Sequence, residues 1–103
     1  MKTITDWARL KARLQEEPVC AVFLSGADCN VCRADAPKVA CITEAAGIPA
    51  WEVPAEKARA ICGQLQVFSF PAVLLFCHGR EVWRSVRFID FTAFTRMLTK
   101  MKE

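Results

Sequence analysis

Ala21-Val-Phe-Leu-Ser-Gly-Ala-Asp-Cys-Asn-Val-Cys-Arg33 decides how the rest of the chain is read. Residues 19–24 are a continuous apolar run, which reads as a strand buried on both faces. Ser25, Gly26 and Asp28 break the run, and Cys29-Asn30-Val31-Cys32 follows where a helix should begin. Unpaired N–H groups and the helix dipole favour negative charge at such a place. The thiolate is the reactive form of cysteine, so a thiol held there should have a pKa below the free value of about 8.5. Two intervening residues bring the second sulfur within bonding reach of the first. A Cys-x-x-Cys placed after a strand, at a helix start, is a redox signature in an α/β chain.

Bulk composition narrows the classes. A chain of 103 residues predicts one domain, 1–103, with a single core. The net charge of +3 is mild and no basic run is interleaved with aromatics, so no nucleic-acid partner is expected. No stretch approaches the ~18 apolar residues of a membrane span. Residues 1–10 lack an apolar segment of signal-peptide length, which points to the cytoplasm. Structural disulfides are rare in that compartment, so the six cysteines are read as chemistry rather than as a disulfide framework.

Outward from the quoted stretch, residues 1–4 read as a short edge strand, with Thr5 or Asp6 as N-cap of a first helix. Trp7, Leu10 and Leu14 recur at helical spacing, with Lys11, Arg13, Gln15 and Glu16 on the other face, and Pro18 ends the helix. The cysteine helix should run to about residue 46, with Ala36, Val39, Thr43 and Ala46 on one face and Pro37 bending it. Gly47 and Pro49 stop it, and residues 50–53 read as a second strand. Pro54 is expected near the N1 position of a short helix that carries Ala58, Ile61 and Leu65 inward. Residues 67–71 form an apolar loop, and residues 72–76 a second fully buried strand. A turn at His78-Gly79-Arg80 leads to an antiparallel strand over 81–88, where Arg84 and Arg87 should guard an exposed edge. Asp90 caps a last helix whose Phe91, Phe94, Leu98 and Met101 form one stripe. This order gives an α/β fold, a mixed four- to five-stranded sheet with helices on both faces.

These residues, in this order, resemble the thioredoxin family over essentially the whole chain. The resemblance is carried by Cys29-x-x-Cys32 after the first core strand, Pro37 five residues beyond it, and Phe70-Pro71-Ala-Val-Leu-Leu-Phe76 ahead of Gly79. It implies a thioredoxin-like fold in which the bond before Pro71 is cis and Pro71 lies against the cysteine pair. It also implies that Phe70 and Pro71 offer a backbone edge to an extended substrate segment. The family's usual Trp-Cys-Gly-Pro-Cys is here Asp28-Cys29-Asn30-Val31-Cys32. The acid that typical members bury in the first core strand aligns with Phe23, and its lysine partner aligns near Trp51, so that polar pair is expected to be replaced by apolar residues. Release of a mixed disulfide should be slower without that acid. Asp28 opposes the helix dipole beside Cys29, and Arg33 acts the other way.

The expected function is reversible dithiol–disulfide exchange, with Cys29 as the exposed attacking thiolate and Cys32 as the more buried resolving thiol. Protein or small-molecule disulfides and a recycling reductase are the expected partners of a monomer. The alternative is a redox-inactive thioredoxin-like interaction module that retains a vestigial pair. No cofactor is expected, and no metal. A structural zinc needs four ligands, whereas Cys41 lies about two and a half turns along the helix and His78 on a distant turn, where it is read as solvated. Cys20, Cys41, Cys62 and Cys77 read as small buried hydrophobes, with Cys62 or Cys77 the better candidate for a regulatory thiol. Phe68 and Phe70 are candidates for an apolar rim around Cys29, and the basic excess from Arg80 onward for a solvated face.

Overall fold

The computed structural model describes residues 1–103. Strand β1 (Lys2–Thr3) and helix α1 (Trp7–Glu16) precede β2 (Val19–Ser25) and α2 (Asn30–Ala46). Next come β3 (Ala50–Pro54), a 3-10 turn (Ala55–Lys57) and α3 (Arg59–Leu65). The hairpin β4 (Ala72–Cys77) and β5 (Arg80–Val86) then leads to α4 (Phe91–Lys102). The strands form one sheet in the order β1-β3-β2-β4-β5. β3 runs parallel to both β1 and β2, while β4 runs antiparallel to β2 and β5.

The apolar runs explain the centre of this sheet. Cys20 to Leu24 and Ala72 to Phe76 are buried throughout, as strands covered on both faces must be. On one face α1 and α3 bring Leu10, Leu14, Ile61 and Leu65 onto Val22, Leu24, Trp51, Val53 and Leu74. On the other, α2 and α4 bring Cys32, Val39, Phe94 and Leu98 onto Ala21, Phe23, Val73 and Leu75. The Trp83 ring stacks on Phe94 at 5.7 Å and ties β5 to α4. Asp90 caps α4 by accepting from the Ala93 N–H at 2.9 Å. At the head of α1, Asp6 takes the N-cap position without a side-chain bond. His78 and Gly79 both have positive φ, 50° and 82°, which is the backbone of a tight two-residue hairpin.

Several expectations need correction. Pro54 closes β3 instead of opening a helix, because the chain first makes a 3-10 turn, sealed by Ala58 N–H to Ala55 C=O at 3.1 Å. β5 stops at Val86, two residues early, because Arg87 at φ 73° turns the chain out of the strand. Arg84 does not stand free at the edge. Its guanidinium grips Glu81 and donates to the C=O groups of Leu65 (2.8 Å) and Gln66 (3.1 Å) at the end of α3. Cys41 is exposed, since Val39 and Thr43 carry the inward face of α2 at that level. Cys77 is half-buried, and Cys20 and Cys62 are buried.

Candidate active site

The loop after β2 builds the site. Asp28 at φ 50° turns the chain so that Cys29 becomes the N-cap of α2. The Cys29 sulfur accepts the Cys32 N–H at 3.1 Å, so one of the unpaired donors at the helix start points at sulfur. Cys29 and Cys32 are joined as a disulfide, with their Cα atoms 5.2 Å apart. Their exposure differs: Cys32 is 3% exposed and packed into the core, whereas Cys29 is half-buried at the surface. Arg33 folds back to Asn30, its Nη1 donating to Oδ1 at 2.9 Å.

The opposite wall comes from the loop before β4. The Phe70–Pro71 peptide is cis, and Pro71 is buried. The Phe70 backbone N–H and C=O have no backbone partner within the chain. The Phe70 ring packs against both cores and over Gly26, where a Cβ would lie 3.2 Å from Cδ2. Phe68, three residues before Pro71, is 75% exposed.

Two open clefts meet at Cys29. The first, of about 760 Å³, runs under α2 and touches Cys32, Arg33, Pro37, Ser25, Glu52 and Glu56. The second, of about 870 Å³, runs toward α3 and touches Arg59, Cys62, Phe68, Phe70 and Arg87. Asp28 and Glu56 line both.

Glu52 was missed in the sequence. The parallel register sets Glu52, not Trp51, opposite Phe23, and Ser25 Oγ donates to Glu52 Oε2 at 3.2 Å. Trp51 points into the α1/α3 core instead. The site therefore keeps a carboxylate one strand away from the expected place, correcting the reading of a wholly apolar replacement. Period-2 alternation was the available signal: with Trp51 and Val53 buried on one face, Glu52 must face the other. Asp35, one turn past Cys32, is also buried but lines neither cleft. Burial, with the Glu17 charge second, pushes the Cys20 thiol up to about 12. Burial also pushes the Cys62 thiol up. No group of three or more His, Cys, Asp or Glu side chains is placed to hold a metal ion.

No protein-family model matches the sequence. It is 27% identical over 81 residues to the thioredoxin-like protein YdfQ of Bacillus subtilis, covering 78% of this chain and 72% of that protein. Among solved structures, a point-mutant thioredoxin of Halobacterium salinarum superposes with a TM-score of 0.89 at 18% identity, covering 99% of this chain and 90% of that one. Fasciola hepatica thioredoxin superposes with a TM-score of 0.87 at 20% identity, over 98% and 99% of the two chains. This is a thioredoxin-fold protein. Within the thioredoxin fold its cysteine pair stands at the start of the helix after the first core strand, and Cys29 shares a cleft with Phe68, Ser69 and Phe70 of the loop that holds the cis Phe70–Pro71 bond. No helix of the chain is long and apolar enough to cross a membrane.

Proposed function

We propose that the protein is a thiol–disulfide oxidoreductase that works through Cys29 and Cys32. The observation that carries this reading is the asymmetry of the joined pair: a partly exposed Cys29 at the helix N-cap, above a Cys32 that is 3% exposed. In the reduced form, the helix N-terminus favours the Cys29 thiolate. That thiolate attacks one sulfur of a substrate disulfide and expels the other as a thiolate. Cys32 then gives up its proton and attacks the Cys29 sulfur, which releases the second substrate thiol and closes the 29–32 disulfide. Two electrons pass from the pair to the substrate, and the reverse sequence oxidises a dithiol. Glu52, held by Ser25 on the cleft that touches both cysteines, is the carboxylate available to take the Cys32 proton.

Phe70 and Pro71 bind the substrate. The unpartnered Phe70 N–H and C=O suit an extended peptide that adds main-chain hydrogen bonds beside Cys29. Protein disulfides are thus the favoured substrates, with a reductase to recycle the pair. Four unpaired cysteines, one of them exposed, support a reducing compartment such as the cytoplasm. The reading is tested by insulin reduction with wild type and Cys29→Ser. Wild type should accelerate precipitation of the insulin B chain and the variant should not; equal background rates would remove the reductase assignment.

A second reading has its own support. Phe68 and Phe88 are 75% and 81% exposed, which suits a redox-inactive module that docks a partner through apolar contacts. Failure of the 29–32 disulfide to form on mild oxidation would favour it.

A further inference from the structure

The cleft toward α3 carries two arginines that the exchange steps do not use. Arg87 sits just past β5 at φ 73°, a conformation disfavoured for any residue with a Cβ. Its backbone is pinned there, the N–H donating to the Pro71 C=O at 2.7 Å. A strained residue anchored beside the substrate-binding proline is a candidate for function. Its guanidinium lies over the Phe88 ring, 5.7 Å from the centroid. Arg59, exposed on α3, lines the same cleft from the other side. Neither arginine is in an ion pair, for the two salt bridges of the chain are Arg13–Glu16 and Glu81–Arg84.

Charge along this cleft is polarised. Asp28, the chain neighbour of Cys29, lines both clefts, as does Glu56. Arg59 and Arg87 line only the second cleft, with Phe68 and Phe70. A peptide lying along the Phe70 edge therefore passes from an acidic end at the sulfur to a basic, partly aromatic end.

We propose that Arg59 and Arg87 make this cleft selective for peptide disulfides that carry a carboxylate side chain a few residues from the attacked cysteine, on the side that runs along the cleft. The proposal rests on the exchange reading above and names its substrate class. Guanidinium groups bind carboxylates through paired N–H donors. Asp28, next to Cys29, adds discrimination by disfavouring a carboxylate at the sulfur itself. Both arginines act as specificity-determining residues, not as participants in the sulfur chemistry.

The test uses the pre-reduced full chain in single-turnover reactions with peptide disulfides that are identical except for Glu, Gln or Lys at the flanking positions. Formation of the 29–32 disulfide is followed by mass spectrometry. At low ionic strength the Glu peptide should react about fivefold faster than the Gln peptide and the Lys peptide slower, with the preference shrinking as salt is added. Arg87→Gln and Arg59→Gln should each move the Glu-to-Gln ratio toward one. Arg87→Gly, which is at ease at positive φ, should do the same, so a folding defect cannot explain the loss. Arg80→Gln, at the far end of the hairpin, should keep the ratio. Equal rates for the Glu and Gln peptides, or a ratio untouched by the Arg59 and Arg87 variants, would overturn the proposal and leave the exchange reading standing. Oxidation of the pair by none of the peptides would overturn the exchange reading, and the selectivity with it.

Discussion

Phe23 on β2 and Glu52 on β3 are register partners in the parallel pairing, and Ser25, two residues beyond Phe23, donates its hydroxyl to the Glu52 carboxylate at 3.2 Å. A strand pair that is apolar on one side thus brings an acid to the cleft touching both cysteines. Position 52 faces that cleft because Trp51 and Val53 are committed to the opposite core.

If Glu52 accepts the Cys32 proton, Glu52→Gln should slow resolution of a mixed disulfide by about ten- to a hundredfold near neutral pH. The effect should shrink as pH rises and the thiol ionises unaided. Stopped-flow decay of a preformed mixed disulfide on Cys29 measures this. An unchanged rate and pH profile would remove Glu52 from the proton path.

The two cysteines should behave differently when replaced singly. Cys29→Ser should abolish exchange. Cys32→Ser should still allow the first attack and accumulate a covalent adduct on Cys29, because nothing displaces the bound partner. Mass spectrometry after incubation with a peptide disulfide distinguishes them. Adducts on Cys32 of the Cys29→Ser protein, equal to those of the reverse variant, would contradict the assigned order of attack.

Cys20 makes an alkaline stability prediction. Its folded-state pKa is raised to about 12, so the buried thiol favours the folded state while protonated. That contribution is fully present below the unfolded pKa of about 8.5 and is lost as pH climbs from there toward the folded value. Over that window unfolding should become easier by up to about 1.4 kcal/mol per pH unit from this group. Cys20→Ala should be less stable at neutral pH, having lost core volume, but should show a shallower decline above pH ~9. Denaturant titrations at pH 7 and pH 10 give the comparison. Parallel declines would show that Cys20 is not the responsible group.

At position 87, glycine and alanine should reverse their usual order. Ala exceeds Gly in most strands and helices. At φ 73° the Cβ is penalised, so Arg87→Gly should be more stable than Arg87→Ala by about 1 kcal/mol. For a domain of this size the melting temperatures should then differ by about 4–8 °C. A higher melting temperature for the alanine variant would show that the positive φ is not held in solution.

Local signals made the architecture legible. The runs around Val22 and Leu74 had to be buried on both faces, Cys29 and Cys32 announced themselves through motif and spacing, and Pro71 stood out only through the resemblance to thioredoxins. Properties set by pairing or by helical phase were not legible in the same way. Alternation at residues 51–53 turns Glu52 away from Trp51 and Val53, but its pairing opposite Phe23, within reach of Ser25, comes from cross-strand register that residues 50–53 alone do not state. Cys41 sits in an apolar stretch, yet lies off the stripe formed by Val39 and Thr43 and faces solvent. Arg87 gave no warning, since positive φ is normally signalled by glycine and here an arginine occupies it. The resulting early end of β5 is what separates Arg87 from the edge it was expected to guard and places it on the cleft.

The most direct test of the account is a redox titration of the chain in glutathione buffers, with differential alkylation and mass spectrometry of every cysteine. The account predicts one reversible two-electron transition confined to Cys29 and Cys32, while Cys20, Cys41, Cys62 and Cys77 remain thiols throughout. Persistence of Cys29 and Cys32 as thiols, or oxidation of Cys29 no more readily than the exposed Cys41, would contradict it.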